Sequence, residues 1–113
     1  SWVYADGQLY GSGYRQYTPW ASMDVRNGEV LCELDSLAIG CSIRAEGRLY
    51  ALSQKGVLAL LDIVDGSWVE RGRLTVAEKP GGDVWSHPVL ADGQLFLRWR
   101  DVVSCYDVRQ PLP

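Results

Sequence analysis

A six-residue phrase occurs three times along the chain. Ala5-Asp6-Gly7-Gln8-Leu9-Tyr10 returns as Ala45-Glu46-Gly47-Arg48-Leu49-Tyr50 and again as Ala91-Asp92-Gly93-Gln94-Leu95-Phe96. A period of roughly 40–50 residues marks a repeat architecture, in which no unit can bury its apolar surface alone. The phrase also has a local meaning. Asp-Gly between two apolar runs favours a two-residue hairpin turn, because both central residues must take positive φ. Glu46-Gly47 is the weaker version, supported by its glycine.

A second element follows each phrase. Met23-Asp24-Val25-Arg26-Asn27-Gly28 aligns with Leu61-Asp62-Ile63-Val64-Asp65-Gly66, and Tyr106-Asp107-Val108-Arg109 begins the same pattern. The Asp side chain accepts from backbone N–H groups ahead of it, and the Gly supplies a left-handed residue that closes the turn. Helical periodicity is nearly absent, and short apolar runs broken by Gly, Asp, Asn and Pro read as strands and turns. Strands are expected near 2–5, 8–14, 20–25 and 29–34, then 38–45, 48–53, 56–63 and 67–77, then 85–91, 94–99 and 102–108, with a loop over 78–83.

Four antiparallel strands in a meander make the blade of a β-propeller. The predicted fold class is therefore all-β, a partial propeller. One blade spans about 1–37, a second about 38–78, and an incomplete third about 83–109. A ring of about 4–8 blades needs more than this. Within the second blade, Val57-Leu58-Ala59-Leu60-Leu61 reads as a strand buried on both faces, so Leu60→Asp is expected to prevent soluble folding.

These residues resemble the repeat of pyrroloquinoline-quinone-like, or quinoprotein-type, β-propellers. That family's docking element reads roughly Ala-x-Asp-x-x-Thr-Gly-x-x-x-Trp. Ser22-Met23-Asp24 to Gly28 and Leu60-Leu61-Asp62 to Gly66 are similar to its first part, with Asn27 and Asp65 in place of the Thr. Trp68 follows Gly66 by two positions, and the first repeat has Leu31 or Cys32 in that region. The stretch from Trp85-Ser86-His87-Pro88 to Tyr106-Asp107-Val108 resembles the family's C-terminal blade, often left incomplete and finished by a strand from the N-terminal part. The resemblance implies a C-terminal segment of a larger propeller, with periplasmic or extracellular location. Its partners would be the remaining blades, or further copies by self-association through open strand edges and faces. Pyrroloquinoline quinone with calcium is implied only for a complete parent. Here no Glu, Asn and Asp set forms that pattern, and the adjacent-cysteine pair of some quinone-binding members is missing. No cofactor is expected for this segment, and recurrent Asp24, Asp62 and Asp107 read as turn builders.

Candidate contact residues are few. His87 is the single imidazole, and Pro88 biases it to extended geometry at the entry of an innermost strand. His87 with Trp85 is one tentative ligand-contacting pair, against a hydrogen-bonded residue locking an interblade loop. Tyr14, Tyr17 and Trp20 lie in the aromatic, glycine-rich stretch from Tyr10 to Trp20. They suit sugar or peptide contacts, or a hairpin loop packed on the next blade, the latter preferred. Arg98 and Arg100 would share one strand face if alternation held, beside Asp101, and would suit a small anion; a solvated hairpin tip with a local ion pair is the preferred reading. Cys32, Cys41 and Cys105 fit no zinc spacing. A Cys32–Cys41 disulfide and three buried thiols are the alternatives, the latter preferred.

The net charge of −3 gives no basic footprint for nucleic acid. No apolar run reaches the roughly 20 residues of a membrane span, and no basic start precedes an apolar segment as in a secretory signal. The expected function is a non-catalytic binding or scaffold module contacting proteins or small ligands. The alternatives are part of a quinoprotein-type dehydrogenase or other propeller enzyme, and a carbohydrate-binding propeller.

Overall fold

The computed structural model describes residues 2–15, 18–64, 67–77, 84 and 86–109, the side chains of residues 14, 15, 18 and 19 excepted. Three antiparallel meanders follow one another. The first sheet contains β1 (Trp2–Ala5), β2 (Gln8–Arg15), β3 (Thr18–Asp24) and β4 (Val30–Leu34), hydrogen-bonded in chain order. The second contains β5 (Gly40–Ala45), β6 (Arg48–Ser53), β7 (Val57–Val64) and β8 (Ser67–Thr75), again in order. The third contains β9 (Val89–Ala91), β10 (Gln94–Trp99) and β11 (Val102–Asp107). The expected innermost strand near 85–91 is thus shorter, beginning after Pro88, whose ring nitrogen has no hydrogen to give a ladder. The loop expected over 78–83 lies outside the described residues.

The repeated phrase makes the same turn each time. Asp6 and Gly7 have φ of 51° and 79°, Glu46 and Gly47 52° and 79°, and Asp92 and Gly93 51° and 74°. Positive φ at both central residues matches the right-handed twist of the flanking strands. The second repeated turn leans on the first. Val25 N–H donates to the Gly7 carbonyl at 3.2 Å, and Val108 N–H donates to the Gly93 carbonyl at 3.0 Å. That bond ties the two elements together in space, which accounts for their fixed order in sequence.

Strand alternation then sorts the side chains with one rule. Where two sheets adjoin, the Leu of the later phrase points back and the aromatic of the earlier one points forward. Tyr10 of the first sheet and Leu49 of the second share one core with Val3, Ala5, Trp20, Ala51, Ala59 and Leu61. Tyr50 of the second and Leu95 of the third share the other, with Ile43, Leu52, Leu58, Leu90 and Leu97. The middle sheet is covered on both faces, as an isolated blade could not be. At the ends the rule leaves two faces open. Trp2 and Tyr4, at 38% and 64% exposure, lie on the back of the first sheet, and Val89 and Val103, at 55% and 67%, on the front of the third.

The expectation for the Val57–Leu61 run needs correction. Ala59 and Leu61 are fully buried against the first sheet, whereas Leu58 and Leu60 are only half-buried toward the third. The third sheet has no fourth strand among the described residues to cover them.

Candidate functional site: the cleft beside the three-stranded sheet

The covered interface shows what a complete one contains. Tyr10 meets Trp68 of β8 edge-on, with ring centroids 5.5 Å apart and planes at 81°. Burial raises the Tyr10 phenol above its usual value, with the Asp6 charge adding to the shift. Trp20 is fully buried, and its indole N–H donates to the Ala38 carbonyl at 2.8 Å. Ser12 crosses between sheets: its hydroxyl donates to the Gly40 carbonyl at 2.7 Å and accepts from the Gly40 N–H at 2.9 Å. Gly40 must lack a side chain, since a Cβ there would collide with the Leu52 carbonyl oxygen. On the outer side, Arg73 of β8 donates to the Ser36 carbonyl at 3.0 Å.

Between the second and third sheets the same positions open into a cleft of about 800 Å³. Tyr50 and Leu60 form part of one wall, Leu90 and Val108 part of the other, and Arg48 and Arg109 stand at its lip. A smaller apolar hollow continues across Leu58, Gly72 and Leu74 of the β7–β8 ladder. Leu74 is 46% exposed, and a Cβ on Gly72 would meet nothing within 4 Å. The cleft lies where the partner of Tyr50 would stand if the third sheet had a counterpart of Trp68.

The two arginines at its lip are paired with carboxylates. Arg109 holds Asp107 through two side-chain bonds, at 3.0 and 2.8 Å, and donates its backbone N–H to the same carboxylate. Those bonds pull Asp107 down to about 2. Arg26 treats Asp24 alike, side-chain bond first and backbone bond second, and Asp24 also falls to about 2. Val64 stands where those arginines stand, so Asp62 is held instead by Arg71 at 2.7 Å and Arg48 at 3.0 Å. The Arg71 bond is the main cause of its lowered pKa. The three acids lie on three separate sheets, each neutralised by guanidinium, and Asp24 and Asp107 also accept a backbone N–H two residues ahead. This donor set does not fit a calcium–quinone centre. Among the described residues no group of three or more His, Cys, Asp or Glu could hold a metal ion.

The sequence candidates are not brought together at the cleft. Trp20 belongs to the buried seam between the first two sheets. His87 is exposed on the segment leading into β9, beside Ser86, whose hydroxyl donates to the Arg98 carbonyl. Tyr17 and Trp85 lie outside the described residues, as does the side chain of Tyr14. Arg98 and Arg100 do not share a strand face, because β10 ends at Trp99 and Arg100 enters the turn with φ of 55°. None of Cys32, Cys41 and Cys105 is in a disulfide, so the Cys32–Cys41 bridge is not formed. Cys41 is buried, Cys32 half-buried and Cys105 exposed, the last on the open front of the third sheet. Reasoning from sequence did not single out the cleft or the residues that line it.

No helix among the described residues is long and apolar enough to cross a membrane. No protein-family model matches the chain, and no curated protein is similar to it in sequence. Solved structures do resemble it. The quinohemoprotein alcohol dehydrogenase of Comamonas testosteroni matches with a TM-score of 0.71 at 18% identity, over 96% of this chain and 19% of that one. The quinohemoprotein alcohol dehydrogenase ADHIIG of Pseudomonas putida HK5 matches with a TM-score of 0.72 at 16% identity, over 95% of this chain and 18% of that one. The chain spans about a fifth of the length of either, and at such identity the likeness is one of fold. Its three sheets have the all-β, unclosed architecture of a segment of a quinoprotein-type β-propeller.

Proposed function

We propose that residues 1–113 act as a non-catalytic stacking and binding module, blades that seat further blades of a larger propeller on both open faces. The divisions near 1–37, 38–78 and 83–109 are the units of that stack. One observation carries the reading: the forward-and-back rule that builds both cores leaves Trp2 and Tyr4 on one end and Val89 and Val103 on the other. Apolar surface gathered on one face of a sheet marks a contact site.

The test is solution mass against concentration, with a hydrophobic dye as second readout. The isolated chain is expected to self-associate and bind dye. Tyr4→Lys and Val103→Lys should each lower both responses with an unchanged β-sheet spectrum. A wild-type monomer at high concentration that unfolds sharply and binds no dye would overturn the reading. The solved structures are dehydrogenases, so a parent protein may be tested separately with added quinone and calcium. A cofactor absorption band with dehydrogenase activity, lost on substitution within 1–113, would contradict the non-catalytic role.

A further inference from the structure

The closed seam between the first and second sheets sets a register that the two open faces also carry. In that seam Tyr10 and Trp20 face forward and Leu49 and Leu61 face back, all four buried. By strand pairing, Phe96 and Val103 hold the places of Tyr10 and Trp20 on the front of the third sheet. Leu9 and Met23 hold the places of Leu49 and Leu61 on the back of the first. There Phe96, Leu9 and Met23 are only half-buried, and Val103 is exposed. The chain thus carries both halves of a seam, at opposite ends and uncovered.

The two halves match in size and in polarity. The closed seam sets a large forward residue, Trp20, with a small backward one, Ser42. The open halves exchange the sizes: Val103 stands in the place of Trp20, and Trp2 in the place of Ser42. Bulk moves from one face to the other, so close packing can be kept. At the rim, Arg44 of the second sheet meets Asp6 of the first at 3.5 Å. Tyr4 stands in the place of Arg44, and Asp92 in the place of Asp6. Repeating the register would set a phenol donor against a carboxylate acceptor, a charge-assisted pair.

We propose that the front of the third sheet and the back of the first are the two halves of one head-to-tail contact between copies of this chain. Phe96 and Val103 of one copy cover Trp2, Leu9 and Met23 of the next, whose Tyr4 donates to Asp92 of the first. The inference rests on the stacking reading and names the partner, a second copy. Unlike faces meet, so the contact is heterologous, and each added copy offers a further face until a ring closes.

Mixing two variants tests this, with mass read by sedimentation across concentration. Tyr4→Lys spoils only the back, and Val103→Lys only the front. Each alone should weaken association about tenfold or more, because every contact between identical copies then includes one spoiled half that buries a charge. An equimolar mixture should recover the wild-type affinity and stop at mixed pairs, since the intact front of one variant meets the intact back of the other. Should either variant fail to fold, Trp2→Lys and Val89→Lys mark the same two faces. The register has its own readout. Asp92→Asn keeps a residue suited to the turn, and should weaken association several-fold in the wild type but not in Tyr4→Phe. Equal losses in both would overturn the register. Contact between like faces would leave each variant pairing through its untouched face, with no gain on mixing, and would overturn the proposal. So would a wild-type chain that stays monomeric yet binds hydrophobic dye, which keeps the stacking reading and gives its faces to blades of another chain. A monomer that binds no dye is failure of the stacking reading itself, and the proposal falls with it.

Discussion

The seam between the first and second sheets and the seam between the second and third are built from the same repeat, yet only one is closed. In the first, Tyr10 lies under Trp68, Trp20 is sealed with its N–H satisfied, and β4 is covered by β8. In the second, Tyr50, Leu58 and Leu60 hold the corresponding places and border open hollows. The inner strands pack in both. What differs is the outermost strand, and its effect reaches past its own hydrogen bonds. It is the lid over the forward-facing residues of the sheet before it. A four-stranded blade thus stabilises its neighbour as much as itself, as nearest-neighbour coupling in repeat proteins requires.

The largest test of this contrast uses adjacent residues of β7. Leu61 is fully buried in the closed seam and Leu60 is half-buried at the open one. Leu61→Asp places a charge in a dry core, at a penalty comparable to the whole stability of a small domain, about 5–15 kcal/mol. It should yield no soluble folded chain. Leu60→Asp can hydrate through the cleft and should fold with a lowered melting temperature. Equal loss in both would erase the distinction between the seams.

Next in size is the pair Trp20 and Leu58, which occupy equivalent positions in the two seams. Trp20→Ala should cost about 3–5 kcal/mol in chemical denaturation, through lost transfer energy and the cavity left behind. Leu58→Ala should cost about 1–2 kcal/mol, because part of that side chain already faces water.

The architecture was legible in the sequence because it rests on short-range chemistry repeated three times. Asp6-Gly7 and Asp92-Gly93 announce hairpins whose φ values the backbone then shows. The alternation of Leu49 and Tyr50 carries the two-faced middle sheet. The cleft was hidden for the opposite reason: it depends on which residues of two sheets face each other across a seam. Leu60 has the same chemical character as Leu61, and only the neighbour across the sheet decides which one stays dry. Ser12 was equally hidden, a small polar residue in a glycine-rich run. Its role depends on Gly40, far along the chain, where the backbone of another sheet comes within bonding distance.

Ser12→Ala measures that cross-sheet tie. The substitution removes the hydroxyl from both the N–H and the carbonyl of Gly40, in a place where Ser12 itself is only 7% exposed. A buried polar group left without a partner costs about 1–3 kcal/mol. Equilibrium denaturation should therefore show a loss of about 1–3 kcal/mol, with local amide exchange faster at Gly40. Ser86→Ala removes an exposed hydroxyl bond to Arg98 in the third sheet and should change stability far less. If the two variants were equal, the first seam would owe nothing to this bond.

The smallest effect comes from the turn acids and separates the sheets by pH. Asp24 and Asp107 are held near about 2 by their arginines, and Asp62 is lowered by Arg71 and Arg48. An unfolded Asp titrates near about 3.9. A carboxyl depressed by folding binds protons more readily in the unfolded chain, so its stabilisation is complete above about pH 4 and disappears as the pH falls toward about 2. Melting temperature should thus decline across that window, and added salt should shrink the decline because these pairs stand at turns beside solvent. Asp107→Asn removes one such contribution next to the open cleft, and Asp24→Asn removes its twin at the end of the first sheet. Both turns are anchored to the neighbouring hairpin through Val25 and Val108. Each variant should therefore flatten the acid limb, while exchange at β11 should quicken only for Asp107→Asn, where no fourth strand among the described residues holds the turn from the far side.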